Sequence, residues 1–158
     1  MKKCLSLLLA LVLLLCLLSC ESVREDIPVQ LLADTVGTKI EGFSHLSQAS
    51  ADYIRYCMNS DLSLYDEYLI LYPFSGTAYN EIGIFKLAAD ADGEKALSEL
   101  EGYLDFKKKN WDTRYNADEY GKIESARIIR RGRYFLYTIL SQAERDAAEK
   151  AFADALKR

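Results

Sequence analysis

Apolar positions fall into one unbroken run and then a series of periodic ones. From position 4 to 18 the chain is almost wholly apolar, preceded by Lys2 and Lys3 and closed by Ser19 and Cys20. A positive start, an apolar middle and a small-residue exit form a secretory signal over residues 1–19. The run is shorter than the ~20 apolar residues of a membrane-spanning helix. Residues 20–27 then read as a short tether. Leu31, Leu32, Val36 and Ile40 recur at helical spacing after Pro28 and predict a first helix, weakened by Gly37 and ended near Gly42. A second helix is expected over residues 48–58, with Ala49, Tyr53, Ile54 and Cys57 inward.

The period then changes to two. Tyr68 to Tyr72 alternates as a strand, residues 73–78 make a turn around Ser75-Gly76, and the strand pattern resumes to Leu87 with Ile82 and Ile84 on one face and Phe85 on the other. Asp90 or Asp92 caps the longest helix, whose stripe is Ala96, Leu97, Leu100, Leu104 and Trp111 with Tyr103 beside it. Asn116 with Glu119 predicts a capping box and a further helical turn or two. A second hairpin crosses Arg131-Gly132, with Leu136 and Leu140 on one face and Phe135, Tyr137 and Ile139 on the other. Ser141 and Glu144 open a closing helix that turns Ala148, Phe152, Ala155 and Leu156 inward. These elements predict one α+β domain over residues 28–158: a mostly antiparallel sheet from two β-hairpins separated by a long helix, with flanking N- and C-terminal helices.

Composition narrows the class. The chain has 158 residues and a formal charge of −4, two units more negative once Lys2 and Lys3 leave with the signal. An acidic domain is a poor nucleic-acid binder, and anionic lipid repels it. Of four cysteines, Cys4 and Cys16 lie in the signal, so Cys57 is left without a disulfide partner once Cys20 is acylated, and is expected to be a small buried hydrophobe. Eleven tyrosines are the one unusual feature.

Leu17-Leu18-Ser19-Cys20 resembles the lipobox of bacterial lipoproteins, in which the cysteine takes a diacylglyceryl group and becomes the new N-terminus. Glu81-Ile82 with Phe85-Lys86, the Tyr115-Asn116-Ala117-Asp118-Glu119 run and Gly132-Arg133-Tyr134 extend the likeness. With them the chain resembles domain-of-unknown-function family 4358 of small bacterial lipoproteins, over residues 31–156. The resemblance implies an envelope lipoprotein, anchored through Cys20 at the extracytoplasmic face of the cell membrane, and supplies no activity.

No catalytic, cofactor or metal motif stands out. His45, the only histidine, falls in a loop, no G-x-S-x-G elbow is present, and no H-E-x-x-H or cysteine pair offers a zinc site. Asp90-x-Asp92-Gly93-Glu94 has part of a calcium loop's spacing but reads as a helix cap. Glu67 and Glu81 facing each other across the first hairpin would make an acid/base pair for sugar hydrolysis, though surface solubility explains both. Lys107 to Lys109 with Arg127, Arg130, Arg131 and Arg133 would make a basic patch if they converged. Tyr53, Tyr56, Tyr68, Tyr72, Tyr134 and Tyr137 would either pack in the core or line a groove, since tyrosine offers a flat apolar face and a polar tip. On the view that helices need cover only one sheet face, Tyr72, Arg131 and Arg133 are the expected ligand contacts, for a wall glycan such as an acidic polymer, or for an envelope protein. The leading expectation is a non-enzymatic binding domain without cofactor; a small carboxylate-based envelope hydrolase and a purely structural envelope protein are the alternatives.

Overall fold

The computed structural model describes residues 23–74 and 79–158. The signal run, Cys20 and the Ser75-Gly76 loop lie outside them. Five strands make one antiparallel sheet in the order β1-β2-β3-β5-β4: β1 (Leu46–Gln48), β2 (Tyr65–Pro73), β3 (Glu81–Leu87), β4 (Arg127–Arg131) and β5 (Tyr134–Ile139). The two expected hairpins are β2–β3 and β4–β5, joined through β3–β5 pairing at the centre. Strand β1 is an addition, laid on the edge of β2 with Ser47 opposite Tyr72. Five helices flank the sheet: α1 (Val29–Gly37), the long α2 (Gly93–Asn110), the short α3 (Thr113–Asn116) and α4 (Tyr120–Glu124), and α5 (Gln142–Ala155). The domain is therefore α+β, as its alternating periods predict. No described helix is long and apolar enough to cross a membrane.

Both sheet faces are covered, not one. Strict alternation sends Phe85, Phe135, Tyr137 and Ile139 to the face under α2, where Ala96, Leu100, Tyr103 and Leu104 meet them. Ile82, Ile84, Tyr134, Leu136 and Leu140 go to the other face, under Leu32, Ala33 and Val36 of α1 and Ala148 and Phe152 of α5. An irregular register between Tyr65 and Glu67 resets the alternation in β2. It leaves Tyr65 on the α2 side and brings Glu67 to α1, where its carboxylate accepts from the Val29 amide at 2.9 Å. Gly83 is opposite Tyr137 in the register, and a Cβ there would lie 2.1 Å from the Tyr137 ring, so the glycine makes room for that ring.

Three local expectations change. Helix α1 stops at Gly37, not near Gly42, with a backbone amide just past it closing the last turn onto the Val36 carbonyl, and the Phe43 ring packs on the Gly37 backbone, 2.4 Å from where a Cβ would stand. The helix expected over residues 48–58 is present but shorter, over residues 51–57, and continues as a π-helical turn, Tyr53–Cys57, while Gln48 ends β1. That turn buries Ile54 and Met58 but leaves Cys57 exposed, so Cys57 is not a buried hydrophobe. Asn116 makes no side-chain cap; Glu119 accepts instead from the Tyr79 amide at 2.6 Å and from Lys122 at 2.7 Å.

The ordered domain also begins earlier than Pro28. Val23 bridges Lys157, the Arg24 amide donates to the Leu156 carbonyl at 2.9 Å, and Ile27 is buried with its carbonyl accepting from Tyr134 Oη at 2.8 Å. Residues 23–27 are a strap along the α1–α5 side, not a free tether.

Candidate functional site

Glu81 begins β3 with the parity of Gly83 and Phe85, so its side chain enters the layer beneath α2. It is fully buried. An unpaired carboxylate there would cost several kcal/mol, so its oxygens must be satisfied by protein donors. One oxygen accepts from Tyr103 Oη at 2.5 Å and Tyr137 Oη at 2.7 Å. The other accepts from Tyr79 Oη at 3.0 Å and Lys107 Nζ at 2.9 Å. Lys107 also donates to Tyr79 Oη and sits over the rings of Tyr79 and Tyr103, 4.9 and 5.1 Å from their centroids. Tyr103 spends its proton on Glu81, so Tyr53 is the donor in the 2.6 Å contact between their hydroxyls. Tyr53 in turn stacks on Tyr72, centroids 5.2 Å apart.

This cluster surrounds a buried carboxylate with three phenols and one ammonium. Burial first, then the Glu81 charge, raises the phenol pKa of Tyr53, Tyr79 and Tyr137; for Tyr103, burial is followed by Tyr137 and Glu81. Burial, the largest single influence, would lower Lys107, but the combined pull of Glu81 and the neighbouring Tyr79 and Tyr53 holds the ammonium above its ordinary value. Each of these groups is thereby fixed as a donor near neutral pH, the opposite of what general acid–base catalysis requires.

Above the cluster lies a groove of about 650 Å³ between the π-helical turn and α2. Its walls are Tyr56, Cys57, Met58 and Asn59 on one side and Ser98, Glu99, Gly102 and Phe106 on the other, with Tyr103 at the boundary to Glu81. Tyr56 and Phe106 are 80% and 57% exposed, as few large aromatics are without a partner. The turn that presents Tyr56 is π-helical and is followed by Asn59 at φ 52°. Single π-turns and left-handed non-glycine residues cluster at functional sites. Glu99 fixes the far end by accepting from Ser60 Oγ at 2.8 Å and the Asp61 amide at 3.0 Å. Among the described residues Glu99 is the only charged one in the groove walls, with Lys95 Nζ 3.9 Å from its other oxygen.

The contacts expected from sequence do not converge. Tyr72 is half-buried against Tyr53, beside the Glu81 cluster. Arg131 is exposed at the end of β4. Arg133 lies in the following turn, where its guanidinium holds Asp66 and the Leu87 carbonyl. Leu87 is opposite Tyr65, seven residues along β2 from Tyr72, or roughly 23 Å at about 3.3 Å per residue. Tyr68 and Tyr72 share the α2 face while Tyr134 is buried on the other, so no single aromatic stripe forms. The reason is the second helical layer, which consumes the face left open in the sequence reading.

The expected basic patch also disperses. Lys107 enters the Glu81 cluster, Arg127 pairs with Asp146 and Glu149, and Arg130 reaches Glu94. Glu67 and Glu81 do not face each other: Glu67 is opposite Lys86, and Glu81 is opposite Ile139 on the neighbouring strand. Glu81 is a buried hub, not a surface carboxylate. Asp92 caps α2 as expected, accepting from the amides of Glu94 and Lys95 at 2.9 and 3.1 Å. His45 is exposed. No group of residues able to hold a metal occurs among the described residues.

The hub was legible in two signals. Glu81 has the inward parity of Phe85, four residues on. Lys107 continues the Leu100, Tyr103 and Leu104 stripe by one turn. The groove had no such signal: spacing set Tyr53 inward and left Tyr56 off the inward face, but nothing in it paired Tyr56 with Phe106 of α2.

The chain belongs to the family described as Domain of unknown function (DUF4358), whose model matches residues 42–140. That span takes in all five strands, α2, the Glu81 cluster and the groove; α1, the strap and α5 lie outside it. No curated protein and no solved structure matches.

Proposed function

We propose that the chain is an extracytoplasmic lipoprotein, held at the membrane by acyl chains on Cys20, whose domain binds an envelope glycan in the groove between the π-helical turn and α2. The exposed pair Tyr56 and Phe106 beside Asn59, Ser98 and Glu99 carries the reading. Flat aromatic faces beside amide, hydroxyl and carboxylate groups suit a sugar ring, which presents C–H faces and a rim of hydroxyls. Glu99 as the only wall charge favours sugar units without net negative charge over the acidic polymer expected from sequence, because like charges would meet. A binding role rather than a hydrolytic one fits the Glu81 cluster, whose carboxylate is already saturated by four donors. The aromatic contacts pass from Tyr72 to Tyr56 and Phe106. The acidic composition argues against nucleic acid as partner.

Two measurements test this. Cys20→Ala should abolish labelling of the protein by a fatty-acid probe in cells; equal labelling of variant and parent would refute the anchor. The purified protein should bind neutral wall-glycan fragments by calorimetry, and Tyr56→Ala with Phe106→Ala should weaken that binding at least tenfold while leaving the unfolding midpoint within a degree or two. Glycan binding unaffected by both variants refutes the groove; binding only to a captured envelope protein would move the reading from glycan to protein.

A further inference from the structure

The strap fixes which end of the domain meets the membrane. Three residue steps separate Cys20 from Val23, a reach of at most about 11 Å. Val23 is itself pinned, bridged to Lys157 and in contact with the Gly132 turn, where an added Cβ would lie 3.1 Å from its side chain. A lipid headgroup layer is roughly 5–8 Å thick on each side of the hydrocarbon. A chain acylated at Cys20 therefore holds the Val23–Gly132–Lys157 end flush with the headgroups.

Among the described residues, basic side chains at that end outnumber acidic ones by one, in a chain that is acidic as a whole. Arg131 is exposed beside Gly132 and makes no ion pair among the described residues. The acids that share its hollow, Asp146 and Glu149, both accept from the single guanidinium of Arg127, at 2.7 and 2.8 Å, which offsets one of their two charges. Lys157 and Arg158 lie alongside. The acids facing them are largely neutralised: Asp154 by Lys150 and Lys157, and Asp26 by Arg24 at 3.0 Å, with Arg158 near enough to act on the same carboxylate. Glu25, close to Gly132, is the one opposing acid at this end that no ion pair occupies among the described residues.

We propose that this end is a headgroup-binding surface, on which Arg131, with Arg158, takes the phosphates of anionic lipids. The inference rests on the acylation of Cys20 proposed above. A guanidinium presents paired donors that match phosphate oxygens. The rest of the domain is acidic and is pushed from the same surface. Two acyl chains already hold the protein stably, so the cationic end sets orientation rather than retention. The groove, walled by other elements, is not at the strap.

The test uses the full acylated chain, isolated with its lipid and reconstituted into vesicles of phosphatidylcholine alone or of phosphatidylcholine with phosphatidylglycerol. Mass spectrometry first reads the acyl group on Cys20. Amide hydrogen exchange is then followed over residues 129–134. Exchange there should slow about fivefold in the phosphatidylglycerol vesicles, the effect of one charge at such a surface. The slowing should vanish at high salt, and it should vanish in Arg131→Glu, whose unfolding midpoint should match the parent's. Equal exchange in both vesicles on an acylated protein overturns this inference and leaves the anchor standing. An unacylated Cys20 overturns both.

Discussion

Replacing Lys107 with methionine removes the only cation from the Glu81 cluster while keeping most of the side chain's volume. Glu81 is then left fully buried with three phenol donors and no counter-charge. Breaking a buried pair by removing one partner costs about 3–5 kcal/mol. The phenols still satisfy both oxygens, so the cost belongs at the low end, about 3 kcal/mol. For a domain of this size that is a fall of roughly 10 °C in the unfolding midpoint. Glu81→Gln alone keeps an acceptor for Tyr103 and Tyr137 but leaves the Lys107 ammonium, whose side chain is only 16% exposed, without its carboxylate. The double variant Glu81→Gln with Lys107→Met removes both charges at once, so it should lose at least 1 kcal/mol less than the two single losses together. Urea unfolding of the four proteins, with an unchanged dependence on denaturant, measures this cycle. Additive losses, or a cost below about 1 kcal/mol for Lys107→Met, would refute the cluster as the domain's electrostatic keystone.

Three further outcomes are expected. Leu100 is fully buried at the centre of α2's stripe, so Leu100→Ala should cost about 2–5 kcal/mol in the same urea assay. The buried phenols and Lys107 all have folded pKa values raised above their unfolded ones, so the stability they contribute is complete below about pH 10 and is lost as pH rises through the folded values; Tyr65, pushed by burial up to about 12, marks that window. Tyrosinate absorbance should accordingly show exposed tyrosines ionising near their ordinary pKa and the buried set only as the domain unfolds; a single transition near pH 10 with the fold intact would contradict the assignment. Cys57 is exposed, so it should react with an aromatic disulfide reagent in the native protein at a rate close to that of the unfolded chain.

How far the fold could be read from sequence depends on how many constraints each pattern met. Alternation in β3 and β5 sorted Ile82, Ile84, Leu136 and Leu140 from Phe85, Phe135, Tyr137 and Ile139 correctly, because a one-residue slip would reverse every side chain. Asp92 and the Leu100 stripe placed α2 as well, since cap and period agree. The failures are places where tertiary contact overrode a weaker local signal. Ala49, Tyr53, Ile54 and Cys57 do have helical spacing and residues 51–57 are helical, but Gln48 belongs to the strand paired with the edge of β2, and the turn at Tyr53–Cys57 widens to a π-helix beside the buried Ile54 and Met58. Gly37 weakens a helix in isolation; here it is the surface on which Phe43 lies. The tyrosines divided unpredictably because a phenol is equally suited to a buried carboxylate, as in Tyr137, and to open solvent, as in Tyr56. What decided between them was the number of helical layers, which no single strand encodes.

The strap at residues 23–27 gives the molecule a mechanical character. A pull on the chain ahead of Val23 does not load the sheet directly. It first meets the Val23–Lys157 bridge and the Arg24–Leu156 bond, which open one after the other, as in peeling. Only then does it reach Ile27, with its buried side chain and the Tyr134 hydroxyl on its carbonyl, and only after Ile27 does it reach α1. A pull there would thus release a few residues of slack before any strand is strained.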